Sequence, residues 1–182
     1  MTEHAPEPGP DLRLRLLVLR SQTGDERAFA QLMTEFQSRT LRYLRGMVGD
    51  AAEDVQQEVW LSVYRRISTL ANPGAFRTWL FRTTRHRALD FLRSHQRERE
   101  LIAEWPEDFL EAGGPQVQDD RDGLTERMLA ALGSLPAPQR EVLQLRYLDE
   151  LSYGEIAIVV GCSVGTVRSR LHYAKHRLRI SD

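Results

Sequence analysis

Five residues near the end of the chain have types and spacing that suit contact with DNA. Arg168, Ser169, His172 and His176 follow Gly165 at intervals of three, four, seven and eleven residues, which places them on one face of a helix. Residues 163–180 contain no acid and carry a net charge of +5. Arginine and serine contact base edges in the major groove, and other cations contact phosphate. We favour a DNA-binding helix here over a solvated amphipathic helix at the end of a bundle.

The segment before this helix has the signals of a tight helix–turn–helix. Ser152 and Glu155 have the spacing of a capping box, in which each side chain bonds the other's free backbone amide. The short helix that follows ends at Gly161, and Ser163 is placed to cap the next one. Two helices joined by a three- or four-residue turn define the DNA-binding helix-turn-helix. We predict this motif at about residues 151–170.

A second basic block lies near the middle of the chain, which has a total net charge of only −1. Residues 77–99 carry a net charge of +5, whereas residues 100–126 carry −8. Residues 100–123 have no apolar periodicity and contain Trp105-Pro106 and Gly113-Gly114-Pro115, which is typical of a linker. The charge pattern therefore predicts two nucleic-acid contacts separated by an acidic linker.

A polar strip is expected on the helix predicted at about residues 51–68. Asp54, Gln57, Glu58 and Leu61 lie at i, i+3, i+4 and i+7, away from the apolar row of Val55, Val59 and Val63. A helix that docks against another helix has such a strip with one exposed leucine. A solvated face would look nearly the same, so the spacing alone leaves both interpretations open.

Helical periodicity dominates the rest of the chain and predicts an all-α fold. Thr23-Gly24-Asp25-Glu26 indicates a helix start, Asp50 is placed to cap the next helix, and Asn72-Pro73 indicates another start. Residues 12–20 could be strand or helix from periodicity alone. The first long helix is expected to bury an apolar row made of Phe29, Leu32, Met33, Phe36, Thr40, Tyr43, Leu44 and Met47. The helix at about residues 74–96 is expected to bury a second row made of Phe76, Leu80, Thr84, Ala88 and Phe91.

Several classes of protein are excluded or disfavoured. Cys162 is the only cysteine, which excludes an internal disulfide and a cysteine-rich metal site. His172 and His176 have metal-pair spacing but lack a third ligand, so we expect no metal and no cofactor. Convergent carboxylates or a nucleophile–base pair are missing, so we expect neither an enzyme nor a small-molecule substrate. The apolar run at residues 16–19 is too short to span a membrane, so we expect a cytoplasmic protein.

Motifs in both parts of the chain resemble a known family. Leu135-Pro136, Gln139-Arg140-Glu141-Val142-Leu143, residues 151–157 and residues 165–171 resemble region four of the extracytoplasmic-function (ECF) sigma factors of bacterial RNA polymerase. Gly24-Asp25, Ala28-Phe29, Glu53-Asp54-Val55, Gln57-Glu58, Phe76, Trp79-Leu80, Ala88-Leu89-Asp90 and Arg93 resemble region two. The resemblance covers about residues 16–178, and its two blocks occur in the family's order.

The resemblance implies two small helical domains joined by a flexible acidic linker. Residues 1–11 would be a flexible tail, 12–97 region two, 98–123 the linker and 124–182 region four. Region two would bind core RNA polymerase and open the downstream promoter element, and region four would recognise the upstream element. A separate anti-sigma factor is the expected regulator, and the linker resembles the segment that passes through the polymerase.

The resemblance also assigns roles to residues. The resemblance implies that polymerase is bound by Glu53, Asp54, Gln57, Glu58 and Leu61. Contact with the melted downstream element falls on Arg77, Trp79, Arg82, His86 and Arg93. Contact with the double-stranded upstream element falls on Ser163, Thr166, Arg168, Ser169, Arg170, His172, Tyr173 and Lys175.

Two residues depart from the family pattern. The family often has asparagine at the position of His86 and a basic residue at the position of Tyr173, so promoter preference at both contacts is open. Trp79 could stack on an exposed base or belong to the core. The main alternative function is a helix-turn-helix regulator that acts without polymerase, and a nuclease is a more distant one.

Overall fold

The computed structural model of the chain describes residues 10–102 and 135–178, and these residues form helices and their connections. The α-helices are α1 (Pro10–Gln22), α2 (Glu26–Val48), α3 (Ala52–Arg66), α4 (Phe76–Ile102), α5 (Ala137–Tyr147), α6 (Tyr153–Val160) and α7 (Val164–Leu178). Short 3-10 turns lie at Gly49–Ala51, Ile67–Thr69 and Pro73–Ala75. The prediction of an all-α fold is confirmed over this part of the chain.

The helix starts follow the local sequence, with one exception. The Asp25 carboxylate accepts a bond of 3.0 Å from the Ala28 amide at the start of α2. The Asn72 side chain accepts one of 2.9 Å from the Gly74 amide. Asp50, however, does not cap α3: it lies inside a 3-10 turn, whose residue Ala51 is the N-cap and makes no side-chain bond. The turn itself guides the chain into α3, so the prediction for Asp50 was wrong.

Helices α1 to α4 pack around one apolar core and are called the first half here. Phe36 of α2 and Phe76 of α4 meet edge to face at 5.5 Å between ring centroids, and both are buried. The ambiguous residues 12–20 lie in α1 and bury Leu14, Leu17 and Val18 in this core. Edge-to-face aromatic pairs add stability beyond the area they bury, which makes the Phe36–Phe76 pair a centre of this core.

Helix α1 also holds the connection between α3 and α4. The Gln22 amide nitrogen donates to the carbonyl oxygens of Ile67 and Leu70 at 2.9 and 2.8 Å. The Arg15 side chain lies against Gly74, where an added Cβ would come within 2.8 Å of it. These contacts tie α1 to the connection that precedes α4.

Helices α5 to α7 form the second half and surround their own core. This core also takes in Tyr43 of α2 and Phe81 of α4, whose rings meet edge to face at 5.6 Å. Tyr43 was expected in a buried row, but Phe81 was not, because it lies off the row that begins at Phe76. The two halves therefore share apolar contacts.

The described helices extend past two of the expected boundaries. Helix α1 begins at Pro10, inside the segment 1–11 expected to be a tail, and α4 continues to Ile102, past the start expected for the linker at residue 98. Most of the expected linker and the first residues of the segment 124–182 expected to be region four lie outside the described residues.

Candidate nucleic-acid interface

Helices α6 and α7 have the geometry of a capped helix-turn-helix. The Ser152 amide donates to Glu155 at 2.8 Å and the Glu155 amide donates back to the Ser152 hydroxyl at 3.3 Å. Gly161 ends α6 with φ +70°, a conformation that side chains disfavour. The Thr166 amide then donates to the Ser163 hydroxyl at 3.1 Å and starts α7. The expected capping box and the expected cap at Ser163 are both present.

Helix α7 buries one face and exposes the opposite one. Val167, Leu171 and Ala174 are buried, whereas Val164, the first residue of the helix, is partly exposed. Lys175 lies over the Tyr147 ring at 5.8 Å, and His172 meets Tyr173 edge-on at 5.6 Å. The residues expected to contact upstream DNA lie on the surface. Five of them are exposed, namely Ser163, Arg168, Ser169, His172 and Tyr173, and three are half-buried, namely Thr166, Arg170 and Lys175.

A basic groove lies between α3 and α4. Its lining contains three arginines, one histidine and one acid. The lining residues are Ser62, Arg66, Trp79, Arg82, Thr83, His86, Arg87 and Asp90. Trp79 is half-buried: it packs near Phe76 at 6.2 Å between ring centroids and also lines the groove. A positive groove with an exposed aromatic edge suits single-stranded nucleic acid.

The groove brings together only part of the expected downstream set. Trp79, Arg82 and His86 line it, whereas exposed Arg93 lies outside it and pairs with Asp90 at 3.4 Å. Arg77 lies on another side of α4, next to Glu155 of the second half, and its buried Nε has no hydrogen-bond partner among the described residues.

Arg66 and Arg87 line the groove but were absent from the predicted site. The Arg87 guanidinium donates to the Ser62 hydroxyl at 3.3 Å, which joins α4 to α3. Arg87 belongs to the basic block recognised in the sequence, but Arg66 ends a different helix. The pairing of α3 with α4 was needed to place Arg66.

The expected polymerase-binding strip is exposed along α3. Glu53, Asp54, Gln57, Glu58 and Leu61 are all on the surface, and Leu61 is 56% exposed. Glu53 pairs with Arg45 at 3.4 Å, an exposed contact of little energetic weight. The strip therefore holds no part of the fold together.

An apolar groove borders this strip and was missed in the sequence. Gln57 and Leu61 form one edge of a depression with six other residues: Phe29, Met33, Gln37, Gln56, Trp60 and Tyr64. The Phe29 ring meets Tyr64 at 5.2 Å and Trp60 at 6.1 Å, both edge to face. Phe29 and Met33 were assigned to the core, and the local pattern could not show that they also border a surface groove.

The described residues offer little for other kinds of chemistry. Over residues 10–102 and 135–178, no three His, Cys, Asp or Glu side chains are close enough to hold a metal ion. None of the helices in these two ranges is long and apolar enough to cross a membrane. Cys162 is a free, half-buried thiol.

The fold and its exposed faces define an all-helical protein with a C-terminal helix-turn-helix, and comparison with known proteins identifies the family. Residues 32–98 match the family profile Sigma-70 region 2, and residues 125–178 match Sigma-70, region 4. The RNA polymerase sigma-H factor of Pseudomonas aeruginosa is 34% identical over 173 residues, covering 89% of this chain and 90% of that one. The ECF RNA polymerase sigma-E factor of Escherichia coli K12 is 34% identical over 176 residues, covering 90% and 91%.

Solved structures agree with this assignment. CnrH in complex with the cytosolic domain of CnrY is 25% identical with a TM-score of 0.64, covering 92% of this chain and 95% of that one. The sigma factor RpoE in complex with the anti-sigma factor NepR from Bartonella quintana has the same TM-score at 24% identity, covering 83% of this chain and 94% of that one. At this identity the match shows similarity of fold. The chain belongs to the sigma-70 family of RNA polymerase factors, in its ECF group.

Proposed function

We propose that this chain binds core RNA polymerase in the cytoplasm and directs transcription from specific promoters through three separate surfaces. Residues 12–97 and 124–182 would act as regions two and four of the factor. The observation that carries the proposal is the combination of an acid-free exposed helix, a basic groove and an acidic strip beside an apolar groove. A helix-turn-helix regulator that acts alone would need only the first of these.

Helix α7 would recognise the upstream promoter element. Its buried row against α5 and α6 leaves Arg168, Ser169 and His172 facing outward together. These side chains can contact base edges once the helix enters the major groove. Arg170 and Lys175 would contact phosphate from the sides, which positions the helix without selecting a sequence.

The groove between α3 and α4 would hold one strand of the downstream element after melting. Arg66, Arg82 and Arg87 would follow the phosphates, and the exposed edge of Trp79 would stack on a base. His86 can donate or accept a hydrogen bond to a base edge. Arg93, outside the groove, would extend the phosphate path along α4.

The acidic strip and the apolar groove beside it would dock on the polymerase. Leu61 and Tyr64 expose 56% and 57% of their surface, which supplies an apolar centre for an interface. Asp54, Gln57 and Glu58 surround it with polar and acidic groups, the arrangement typical of protein interfaces. An anti-sigma factor is the proposed regulator, since the solved structures similar to this chain were obtained as complexes with such partners or with a cytosolic domain.

Run-off transcription tests the proposal as a whole. Purified core polymerase should initiate at discrete sites on genomic fragments only when this chain is added. A regulator acting alone would bind DNA but leave core polymerase unable to initiate, and a nuclease would cleave the same fragments in the presence of a divalent metal.

We expect Arg168→Ala to weaken binding of the upstream element by about 1–3 kcal/mol, because a base contact of this kind is worth that much. The loss should be largest on the preferred sequence. It is measured with duplexes that differ only in the upstream element. Arg27→Ala, which removes an exposed arginine of α2, should leave the affinity unchanged.

Two other outcomes would change this assignment. A uniform loss over all sequences, with the salt slope lowered by about one, would mean that Arg168 contacts phosphate only. Unchanged affinity for the preferred element would contradict the placement of α7 in the major groove of DNA.

A further inference from the structure

The two halves meet through polar contacts as well as through Tyr43 and Phe81. The Tyr43 hydroxyl donates to Glu141 at 2.6 Å, and the Arg85 guanidinium pairs with the same carboxylate at 2.8 Å. The Thr78 hydroxyl donates to Glu155 at 3.0 Å. Each of these contacts satisfies both partners, so this part of the interface is electrostatically matched.

Asp149, in the connection after α5, is an acid that is not matched in this way. It is 0% exposed, and neither carboxylate oxygen has a hydrogen-bond partner among the described residues. Its nearest cation is Arg42 of α2, at 3.7 Å, too far for a hydrogen bond. A buried carboxylate without hydrogen bonds is costly when it is ionised.

The groups that face Asp149 come from α2. Arg42 and Arg39 favour its charge, and Tyr43 is close enough to interact with it electrostatically. Burial and the charge of Glu141 raise the pKa of Tyr43 well above its ordinary value, so Tyr43 stays protonated near neutral pH. Beyond Tyr43 lie Glu141 and Arg85, which pair with each other. Glu150, the next residue after Asp149, is exposed.

We propose that the contact between the two halves is proton-linked: the halves stay together while the Asp149 carboxyl carries a proton and separate more readily once it ionises. Separation would return the carboxylate to water, where it needs no partner. The contact between α2 and the connection after α5 is thereby a switch that responds to pH.

The direction of the effect follows from the pKa of Asp149. Burial outweighs the nearby arginines and raises this pKa from 3.8 to about 6. In the separated state the exposed carboxyl has its ordinary pKa, so the closed state binds the proton more tightly. Closure is therefore favoured as the pH falls below about 6, and this advantage is lost as the pH rises through 6.

Separation would also release arginines for DNA. Arg85 pairs with Glu141, and Arg77 lies beside Glu155, so the second half occupies both in the closed state. Both belong to α4, the helix of the basic groove. This consequence rests on the proposed function, whereas the proton linkage itself does not.

The test is the distance between the halves as a function of pH. The full chain with Cys162→Ser carries fluorescent donor and acceptor labels at Arg27→Cys and Arg177→Cys, both exposed positions. The ratio of closed to open molecules should be about tenfold higher at pH 5 than at pH 7.5, as the difference between the two pKa values requires. A distance distribution that is the same across this range would overturn the proposal.

Three variants identify the responsible group. Asp149→Asn should abolish the pH response, and Glu150→Gln, which neutralises the neighbouring exposed acid, should keep it. Arg42→Gln should move the midpoint to higher pH, because it removes a cation that favours ionisation. The Arg42 side chain is 47% exposed, so this variant folds even if Asp149→Asn does not. A pH response that persists in Asp149→Asn, or an unmoved midpoint in Arg42→Gln, would assign the effect to another group.

Discussion

The double variant Asp54→Lys with Glu58→Lys is expected to lose co-purification with core RNA polymerase and to lose transcription. Both side chains are exposed on α3 and neither supports the core, so the free energy of unfolding should change by about 0.5 kcal/mol per substitution or less. In the complex each lysine would oppose a charge that the acid had matched. Breaking a buried charge pair costs roughly 2–5 kcal/mol of binding, mostly through faster dissociation.

A matched variant separates this effect from net charge. Asp11→Lys with Glu35→Lys makes the same change in charge at two exposed acids of α1 and α2 that belong neither to the strip nor to the lining of the apolar groove, and should co-purify normally. Circular dichroism and melting temperature should be close to the parent's in both variants. Near-native recovery of polymerase by Asp54→Lys with Glu58→Lys would leave the strip as a solvated face.

We expect Phe76→Ala to lower the free energy of unfolding of the first half by about 3–5 kcal/mol, as removal of a buried phenylalanine usually does. Phe76 is 0% exposed, begins α4 and meets Phe36 edge to face. Its removal would leave a cavity where α4 joins the core and would loosen the helix that forms one wall of the basic groove. The loss is measured by denaturant unfolding followed by circular dichroism.

Leu92→Ala is the control on the same helix. Leu92 is 40% exposed, so its loss should cost about 0.5 kcal/mol or less. Equal destabilisation by the two variants would contradict the position of Phe76 at the centre of the core. Phe76→Ala should weaken the binding of single-stranded DNA only under conditions in which the first half is partly unfolded.

The helix-turn-helix could be predicted from the sequence because its determinants are local. The capping box joins Ser152 to Glu155 and the next cap joins Ser163 to Thr166, each across three residues. The exposed face of α7 likewise depends on spacing along a single helix. The same reasoning located the strip on α3, although it could not distinguish docking from solvation.

Local patterns were misleading at helix ends, where the backbone adopts a geometry that the pattern does not predict. Asp50 has the right residue type for a cap, but the 3-10 turn around it leads into α3 without one. Val164 fits the buried row of α7, yet it lies at the first residue of the helix and stays 38% exposed. Residue type and spacing indicate a preference for capping or for burial. The packing of the helix end decides whether the residue caps the helix or is buried.

Apart from the ambiguous residues 12–20 and the cap expected at Asp50, the sequence by itself determined the helical elements, the caps, the two basic blocks and the family resemblance. Tertiary structure alone decided which helices meet. Arg66 and His86 share a groove only because α3 packs beside α4, and Phe81 is buried only because the second half covers it. Asp149 looks like an ordinary loop acid until α2 excludes water from it. Contacts between residues 25 and 98 positions apart depend on helix packing, which spacing along one helix does not encode.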